Sequence, residues 1–276
     1  MSRDASNPDY SVDDLLEIMR KLRDPEGGCP WDLEQTFDTI VPHTIEEAYE
    51  VDEAIRHGDM ESLKDELGDL MFQVVFHAQM AKEANHFTFA DVINAISGKM
   101  VRRHPHVFGD ATIETADAQI AAWETQKAKE RQKKADKHGK TASVLDGVSI
   151  SLPSLLRAVK LQKRAARVGF DWPETACVLD KMQEEAAELV EEYKKGTDKE
   201  RLKEEFGDLL FVMANLARHM DIDPEEALRD GNAKFERRFH RIEALLAEAG
   251  KEPSQSSLEE MDRLWDQAKA EEKQRA

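Results

Sequence analysis

Two sets of acidic residues recur in this chain with the same helical spacing, and carboxylates in such sets can hold a metal ion. The first set is Glu47, Glu50, Glu66 and Asp69, and the second set is Glu185, Glu188, Glu205 and Asp208. Each set contains two pairs of acids three residues apart, a spacing that places both carboxylates on one side of a helix. Two such helices, antiparallel across a short turn, would bring four carboxylates together, and these repel each other unless a cation lies among them. The spacing therefore predicts a divalent-metal site that is built twice.

The types of the ligands favour a hard cation. A di-iron carboxylate bundle would place a histidine three residues after a glutamate, whereas those positions here hold Glu50, Asp69, Glu188 and Asp208. Ligation by oxygen alone favours Mg²⁺, with Mn²⁺ as the second choice. Because Mg²⁺ usually joins a few carboxylates to the phosphates of a substrate, we expect a phosphorylated ligand.

A solvated acidic surface is the alternative interpretation of these sets. The glutamates around Glu185 lie opposite an apolar stripe of their helix, so for them a solvated face is as reasonable as a site. The next acidic helix differs, because Asp69 shares a face with Phe72, and Asp208 shares one with Phe211. A carboxylate on such a face needs a partner or a metal. The duplication of all four positions favours the metal site further.

Basic and aromatic residues follow each acidic set. In the second half they are Lys234, Arg238 and Trp265, and in the first half Lys99, Arg103 and Trp123. In each half the lysine and the arginine are four residues apart and share a helix face, which is the usual spacing of a surface salt-bridge ladder. Beside a metal, the same pair suits phosphate oxygens. The tryptophan could stack on a base, although a single tryptophan is more often part of a core.

The chain reads as helical throughout and duplicated. It has no sustained alternation of apolar and polar residues, and segments such as 68–72 and 207–211 match each other. We therefore predict an all-α fold of two tandem repeated helical-bundle domains, at 11–126 and 153–276. The residues between them, 127–152, are rich in lysine and then in turn residues, and are predicted as a linker.

Composition excludes several classes of protein. Asp and Glu outnumber Lys and Arg by 57 to 39, a net charge of −18, whereas non-specific nucleic-acid binding needs a basic surface. With two cysteines, Cys29 and Cys177, neither a disulfide framework nor a thiolate zinc site is suggested. No apolar run reaches the roughly 18 residues of a membrane span, and the first residues lack a signal-peptide core. We expect a cytoplasmic protein that binds neither nucleic acid nor membrane.

Segments around the acidic sets resemble the all-α nucleoside triphosphate pyrophosphohydrolases, and specifically the MazG family. The acidic motif itself, Glu-Glu-x-x-Glu followed about twenty residues later by Glu-x-x-Asp, is similar to that family's. The further similar segments are Gly28-Cys29-Pro30-Trp31-Asp32, Gln35-Thr36, residues 102–108, Val168-Gly169-Phe170-Asp171-Trp172 and residues 232–239. The resemblance covers nearly the whole chain, including its two-domain arrangement.

The resemblance implies hydrolysis of a nucleoside triphosphate to the monophosphate and pyrophosphate, with Mg²⁺, in a homodimer of helical domains. It implies metal-binding and catalytic roles for Glu185, Glu188, Glu205 and Asp208, with Glu47, Glu50, Glu66 and Asp69 as further metal ligands. The nucleotide-binding residues would be Lys181, Glu184, Arg201, Glu204, Lys234, Arg238 and Trp265. In members with two copies the C-terminal domain is expected to hydrolyse. Because this chain keeps all four acids in its first copy, the activity of that copy stays open.

Two alternatives stay open beside this interpretation. A related helical pyrophosphatase could prefer one substrate, such as dUTP or phosphoribosyl-ATP, but the duplication and the segment 28–32 favour MazG. A helical interaction or regulatory module without catalysis would leave the acids as solvated faces, and the intact acids of both copies disfavour it.

Overall fold

Helices are the regular elements of this protein. The computed structural model describes residues 10–137, 139 and 141–275, and these contain no β-strand, which confirms the all-α prediction. None of the helices in these ranges is long and apolar enough to cross a membrane. The α-helices are α1 (Val12–Leu22), α2 (Pro30–Glu34), α3 (Phe37–His57), α4 (Met60–Glu83), α5 (Phe89–Arg103), α6 (Pro105–Phe108), α7 (Ala116–Lys137), α8 (Ser154–Ala166), α9 (Thr175–Lys195), α10 (Lys199–His219), α11 (Pro224–Glu248) and α12 (Leu258–Arg275). A short 3₁₀ helix, Pro253–Gln255, precedes α12.

The chain divides into two compact units, Met1–Glu124 and Thr125–Ala276, called here the first unit and the second unit. Each unit carries one of the two acidic sets. Helix α7 crosses the division and continues to Lys137, so the lysine-rich start of the predicted linker is helical. The domain and linker boundaries given above stay a prediction.

A two-residue turn joins α3 to α4 in the first unit. Helix α3 ends at Gly58, whose φ of 68° is left-handed and costs least at a glycine. Asp59 then begins α4, because its carboxylate accepts hydrogen bonds from backbone N–H groups of the first turn. So short a turn makes the two helices antiparallel neighbours, and Gln73 of α4 meets Glu47 of α3.

The core of the first unit fixes this hairpin in place. Its buried side chains come from α1, α3 and α4 and are Met19, Ile40, Val75, Phe76 and Met80. Burying an aliphatic or aromatic side chain of this size stabilises a fold by about 1.5–3 kcal/mol. Three of the five belong to the C-terminal half of α4, so the core holds the helix that carries Glu66 and Asp69 nearer its start.

The corresponding turn of the second unit joins α9 to α10. Gly196 ends α9 with a φ of 67°, and the side chain of Asp198 caps α10 by accepting the backbone N–H of Arg201. A capping box from Thr197 to Glu200 would also fit this sequence, but Asp198 takes the cap. The hydroxyl of Thr197 instead donates to the carbonyl of Glu192 at 2.6 Å and so closes the end of α9.

Helix α10 is the centre of the second unit. It packs against α8, α9 and, more lightly, α11, and α11 packs against α12. Ala158, Val159 and Ala214 form a small buried cluster between α8 and α10, with Leu155 against it. The side-chain amide of Gln162 on α8 also donates to the carbonyl of Phe211 at 2.8 Å. These contacts hold α10, and with it Glu205 and Asp208, in one register against α8.

Candidate metal centre

The hairpin of α9 and α10 brings together three of the four acids of the second set. Glu185, Glu205 and Asp208 each offer one carboxylate oxygen, and these oxygens lie within 4.8 Å of one another. Glu205 and Asp208 are one turn apart on α10, as their spacing predicted, and Glu185 reaches them from the middle of α9. We call these residues the second acid group. Oxygen atoms at such distances can share one divalent cation.

Burial sets this group apart from an ordinary surface cluster. The exposed fractions of Glu185 and Glu205 are 6% and 3%, whereas Asp208 is exposed. Removing a carboxylate from water costs free energy unless a cation or hydrogen bonds replace the lost hydration. The group therefore combines two buried carboxylates with a third, that of Asp208, which solvent can reach.

Two basic side chains pair with the buried carboxylates. Lys181 Nζ lies 2.8 Å from Glu185 Oε1 and also 2.8 Å from Glu184 Oε1. Arg201 forms a close ion pair with Glu205 and lies 3.0 Å from Glu204 Oε2. Each basic residue is four positions before its buried partner, one turn up the same helix. Hydrogen bonds with Glu184 and Glu185 raise the pKa of Lys181, so its ammonium stays charged.

The first unit contains the same arrangement of acids. Carboxylate oxygens of Glu47, Glu66 and Asp69 lie within 4.8 Å of one another. Glu47 and Glu66 are half-buried, and Asp69 is exposed. We call these three residues the first acid group. Their convergence on the hairpin of α3 and α4 repeats that of the second unit.

Electrostatics in the first acid group favour uptake of a positive charge. Burial raises the pKa of Glu47, and its hydrogen bond with Glu50 and the charge of Asp69 raise it further. Burial also raises the pKa of Glu66, and the charges of Glu50 and Asp69 add to the effect. A raised pKa means that the ionised carboxylate is disfavoured where it stands. A proton or a metal ion relieves this cost.

The remaining acids, Glu50 and Glu188, lie outside the two groups. Each is one turn beyond the first glutamate of its set and is exposed. The predicted roles of Glu50 and Glu188 as metal ligands stay predictions.

The basic and aromatic residues of the second half meet on α11 and α12. The guanidinium of Arg238 lies 5.3 Å from the centre of the Trp265 ring, and its Nε donates to Glu272 Oε2 at 2.8 Å. The ring of Phe235 lies 5.5 Å from that of Trp265, and Lys234 is exposed. The structure thus brings Arg238 and Trp265 together. Their predicted contact with a nucleotide stays a prediction.

In the first half, Trp123 is bound to the end of α5. Its indole N–H donates to the carbonyl of Arg103 at 2.9 Å, and its ring lies 5.3 Å from that of His104. Lys99 is half-buried on the same helix. This tryptophan therefore has a structural partner at the end of α5.

One residue at the first acid group escaped the sequence argument. Gln73 is 8% exposed, and its side-chain N–H donates to Glu47 Oε1 at 3.3 Å, while its own oxygen has no partner among the described residues. Gln73 lies four residues after Asp69, on the same face of α4. The sequence signal for this role was a glutamine one turn after Asp69, on the acidic face of the helix. In the second unit Val212 occupies the matching position.

Comparison with known proteins agrees with this architecture. The family model of the MazG nucleotide pyrophosphohydrolase domain matches the chain twice, at residues 35–108 and 175–242. Each match contains one acid group, which confirms the tandem repeat that the sequence predicted.

Two relatives of similar length match nearly end to end, and a longer one matches over half of its length. A protein of Escherichia coli K12 named nucleoside triphosphate pyrophosphohydrolase is 50% identical over 262 residues, covering 95% of this chain and 98% of the relative. A Thermotoga maritima protein named nucleoside triphosphate pyrophosphohydrolase/pyrophosphatase MazG is 42% identical, covering 93% and 95%. The uncharacterized protein YabN of Bacillus subtilis is 46% identical, covering 91% of this chain and 50% of the relative. The chain belongs to the MazG nucleotide pyrophosphohydrolase family.

Proposed function

We propose that this protein hydrolyses nucleoside triphosphates to nucleoside monophosphates and pyrophosphate with Mg²⁺ held by the second acid group. The observation that carries the proposal is the convergence of Glu185 and Glu205, both more than nine-tenths buried, with Asp208 on one hairpin. Relatives whose names state this activity span the same length. Such an activity would remove unwanted triphosphates from the nucleotide pool.

The donor set fits the proposed metal. Three carboxylates offer hard oxygen ligands, and the exposed Asp208 leaves phosphate oxygens a way to approach the metal from solvent. Mn²⁺ accepts the same donors and is the second choice. When bound, the metal would neutralise charge on the triphosphate and polarise the attacked phosphorus.

The remaining steps belong to side chains of the second unit. Lys181 and Arg201 form ion pairs with the carboxylates of Glu185 and Glu205. Because they lie within about one turn of these metal ligands, they can move to phosphate oxygens. Glu188 lies one turn beyond Glu185, outside the acid group. We assign it the role of general base, which accepts the proton of the attacking water. Lys234, Arg238 and Trp265 would hold the outer phosphates and the base, with Arg238 exchanging Glu272 for the nucleotide.

The proposal extends to assembly and location. Exposed apolar side chains on α9 and α10, among them Val190, Tyr193 and Phe206, favour a homodimer that covers them. The net charge of −18 supports a protein that does not bind nucleic acid, and we place its activity in the cytoplasm.

Pyrophosphate release from a mixture of nucleoside triphosphates, with Mg²⁺ or with EDTA, tests the proposal. We expect Glu205→Gln to lower kcat by about a hundredfold or more, because it removes a buried, charged metal ligand. Glu200→Gln is the matched control, since Glu200 is exposed on the same helix and pairs only loosely, at 3.7 Å, with Lys203. Full activity in Glu205→Gln would contradict the assignment to the second unit.

Two further measurements separate the alternatives. A comparable loss of kcat in Glu66→Gln alone would mean that the first acid group also hydrolyses substrate. Chromatography of the products distinguishes monophosphate plus pyrophosphate from diphosphate plus phosphate, and hydrolysis of dUTP alone would favour the single-substrate alternative.

A further inference from the structure

The two acid groups have the same ligands but different neighbours. One turn before each glutamate of the second group stands a basic residue, Lys181 before Glu185 and Arg201 before Glu205. At the corresponding positions of the first group, four residues before Glu47 and Glu66, the chain has His43 and Ser62. The repeat therefore keeps the acids and changes the side chains that lie next to them.

In the second unit these basic residues form ion pairs with the carboxylates of the acid group. Lys181 Nζ lies 2.8 Å from Glu185, and Arg201 forms a close ion pair with Glu205. Two positive charges thus stand against the three negative charges of the group. A metal ion that enters this group must displace them from buried carboxylates, and the displaced cations then need another anion.

In the first unit the corresponding side chains are engaged elsewhere. The hydroxyl of Ser62 donates to Asp59 at 2.9 Å in the cap of α4, and His43 Nδ1 lies 3.5 Å from Glu46, outside the group. The described charges that act most strongly on Glu66 are carboxylates. An entering metal ion meets three carboxylates and displaces no lysine or arginine of the described chain.

An independent observation concerns the buried amide of Gln73. Its N–H donates to Glu47, and its oxygen, buried and without a described partner, lies on the same planar group. Rotation of that amide by half a turn would offer the oxygen to a cation among the acids, which is a ligand type that hard metals accept. Val212, at the matching position of the second unit, offers no such atom.

From this asymmetry we infer that the first acid group binds a free divalent cation, whereas the second acid group takes up the cation together with a triphosphate, with Lys181 and Arg201 transferring from the carboxylates to the phosphates. The inference rests on the proposed function, since it concerns the same metal and the same substrate. It assigns Lys181 and Arg201 a positioning role in which they offset part of the negative charge of the carboxylates and couple metal binding to nucleotide binding. Transfer to phosphate is favourable because Arg and Lys make charge-assisted hydrogen bonds to phosphate oxygens.

Binding of Mn²⁺ to the full chain without nucleotide tests the inference. Electron paramagnetic resonance of the unbound ion gives the affinity, and double substitutions isolate each group. Glu66→Gln with Asp69→Asn leaves the second group, and Glu205→Gln with Asp208→Asn leaves the first. We expect the Kd of the first group to be about tenfold lower than that of the second, the size of effect typical of residues around metal ligands. A non-hydrolysable triphosphate analogue should tighten Mn²⁺ at the second group by about tenfold and at the first group by less.

Exchange of the neighbouring residues makes the test specific. In the second group, Lys181→His with Arg201→Ser should tighten free Mn²⁺ by about tenfold and weaken the coupling to the analogue. The reciprocal change in the first group, His43→Lys with Ser62→Arg, should weaken Mn²⁺. Lys203→Ser is the matched control, because it removes a charge from α10 that pairs with Glu200 and does not contact the acids.

The outcomes separate this inference from the proposed function. Equal affinities of the two groups, or exchange variants that bind Mn²⁺ as the parent does, would overturn the inference alone. Mn²⁺ binding that survives both double substitutions of the acids would overturn the inference and the metal site together. Circular dichroism checks the fold of each variant, and the single change Arg201→Gln replaces the pair should the exchange variant not fold.

Discussion

At the scale of single residues, the first acid group shows how burial and like charge act on a carboxylate. Burial, the hydrogen bond with Glu50 and the charge of Asp69 raise the pKa of Glu47 above its ordinary value of 4.5. The folded chain therefore holds a proton there more tightly than the unfolded chain does. Between the ordinary and the raised pKa the folded state binds more protons, so the free energy of unfolding falls as pH rises through that range.

This sign predicts the behaviour of Glu47→Gln in metal-free solution. The variant lacks the carboxylate whose ionisation the folded state disfavours. Its stability relative to the parent should therefore increase as pH rises from about 4.5 towards neutrality. Urea unfolding in EDTA across this range measures the difference, and added Mg²⁺ should reverse it by stabilising only the parent site. Glu61→Gln is the control of opposite sign, because Lys64 lowers the pKa of Glu61. A Glu47→Gln variant that loses stability relative to the parent at neutral pH contradicts the argument.

Sequence spacing located most of this site because the spacing acts within one helix. Glu205 and Asp208 share a face of α10 whatever the rest of the fold does. The role of Gln73 depends instead on the register between α3 and α4, which decides that Glu47 is its neighbour. Spacing along one helix carries no such information. Lys181 and Arg201 are also only four residues from the carboxylates they pair with. That these ion pairs form is shown by the structure and not by the spacing.

At the scale of elements, the residues of each turn determine where the following helix begins. Asp59 and Asp223 cap their helices, and such caps can be read from sequence because an N-cap depends on a few neighbouring residues. Thr197 and Glu200 also fit a capping box, but Asp198 is the cap, because Gly196 turns the chain so that Asp198 reaches the first N–H groups. The start of the predicted linker is helical, since its lysines and alanines are good helix formers.

The turn between α9 and α10 should be sensitive to substitution at Gly196. Its left-handed φ of 67° is strained for a residue with a Cβ, so Gly196→Ala should lower the free energy of unfolding by about 1–2 kcal/mol. Chemical denaturation measures this loss. Gly231→Ala, in the interior of α11 where an added Cβ has nothing within 4 Å, should instead raise stability by up to about 1 kcal/mol. Equal effects of the two substitutions would argue against the role of the left-handed turn.

At the scale of the whole molecule, duplication produced two hairpins with the same acids and different surroundings. The second hairpin buries its glutamates more deeply and supplies counter-charges from its own helices, whereas the first keeps its acids half-buried beside an amide. Two copies of one scaffold can thus hold the same ligands at different affinities. Both hairpins also leave apolar side chains in solvent, such as Tyr49 on α3 and Tyr193 on α9.

The exposed apolar face of α9 and α10 leads to the last prediction, which concerns assembly. Leu189, Val190, Tyr193, Leu202 and Phe206 line one groove on this hairpin, and Tyr193 is 75% exposed. Contiguous apolar surface of this kind is characteristic of an interface, so we expect the protein to sediment at twice the chain mass. Tyr193→Asp should shift it towards the monomer, because a charge in an apolar interface loses its hydration without gaining a partner. Ile150→Asp, at a residue that is 83% exposed and lies outside this groove, should leave the mass unchanged. A Tyr193→Asp variant that sediments with the parent would remove this groove from the interface, and the apolar face of α3 and α4 would be tested next.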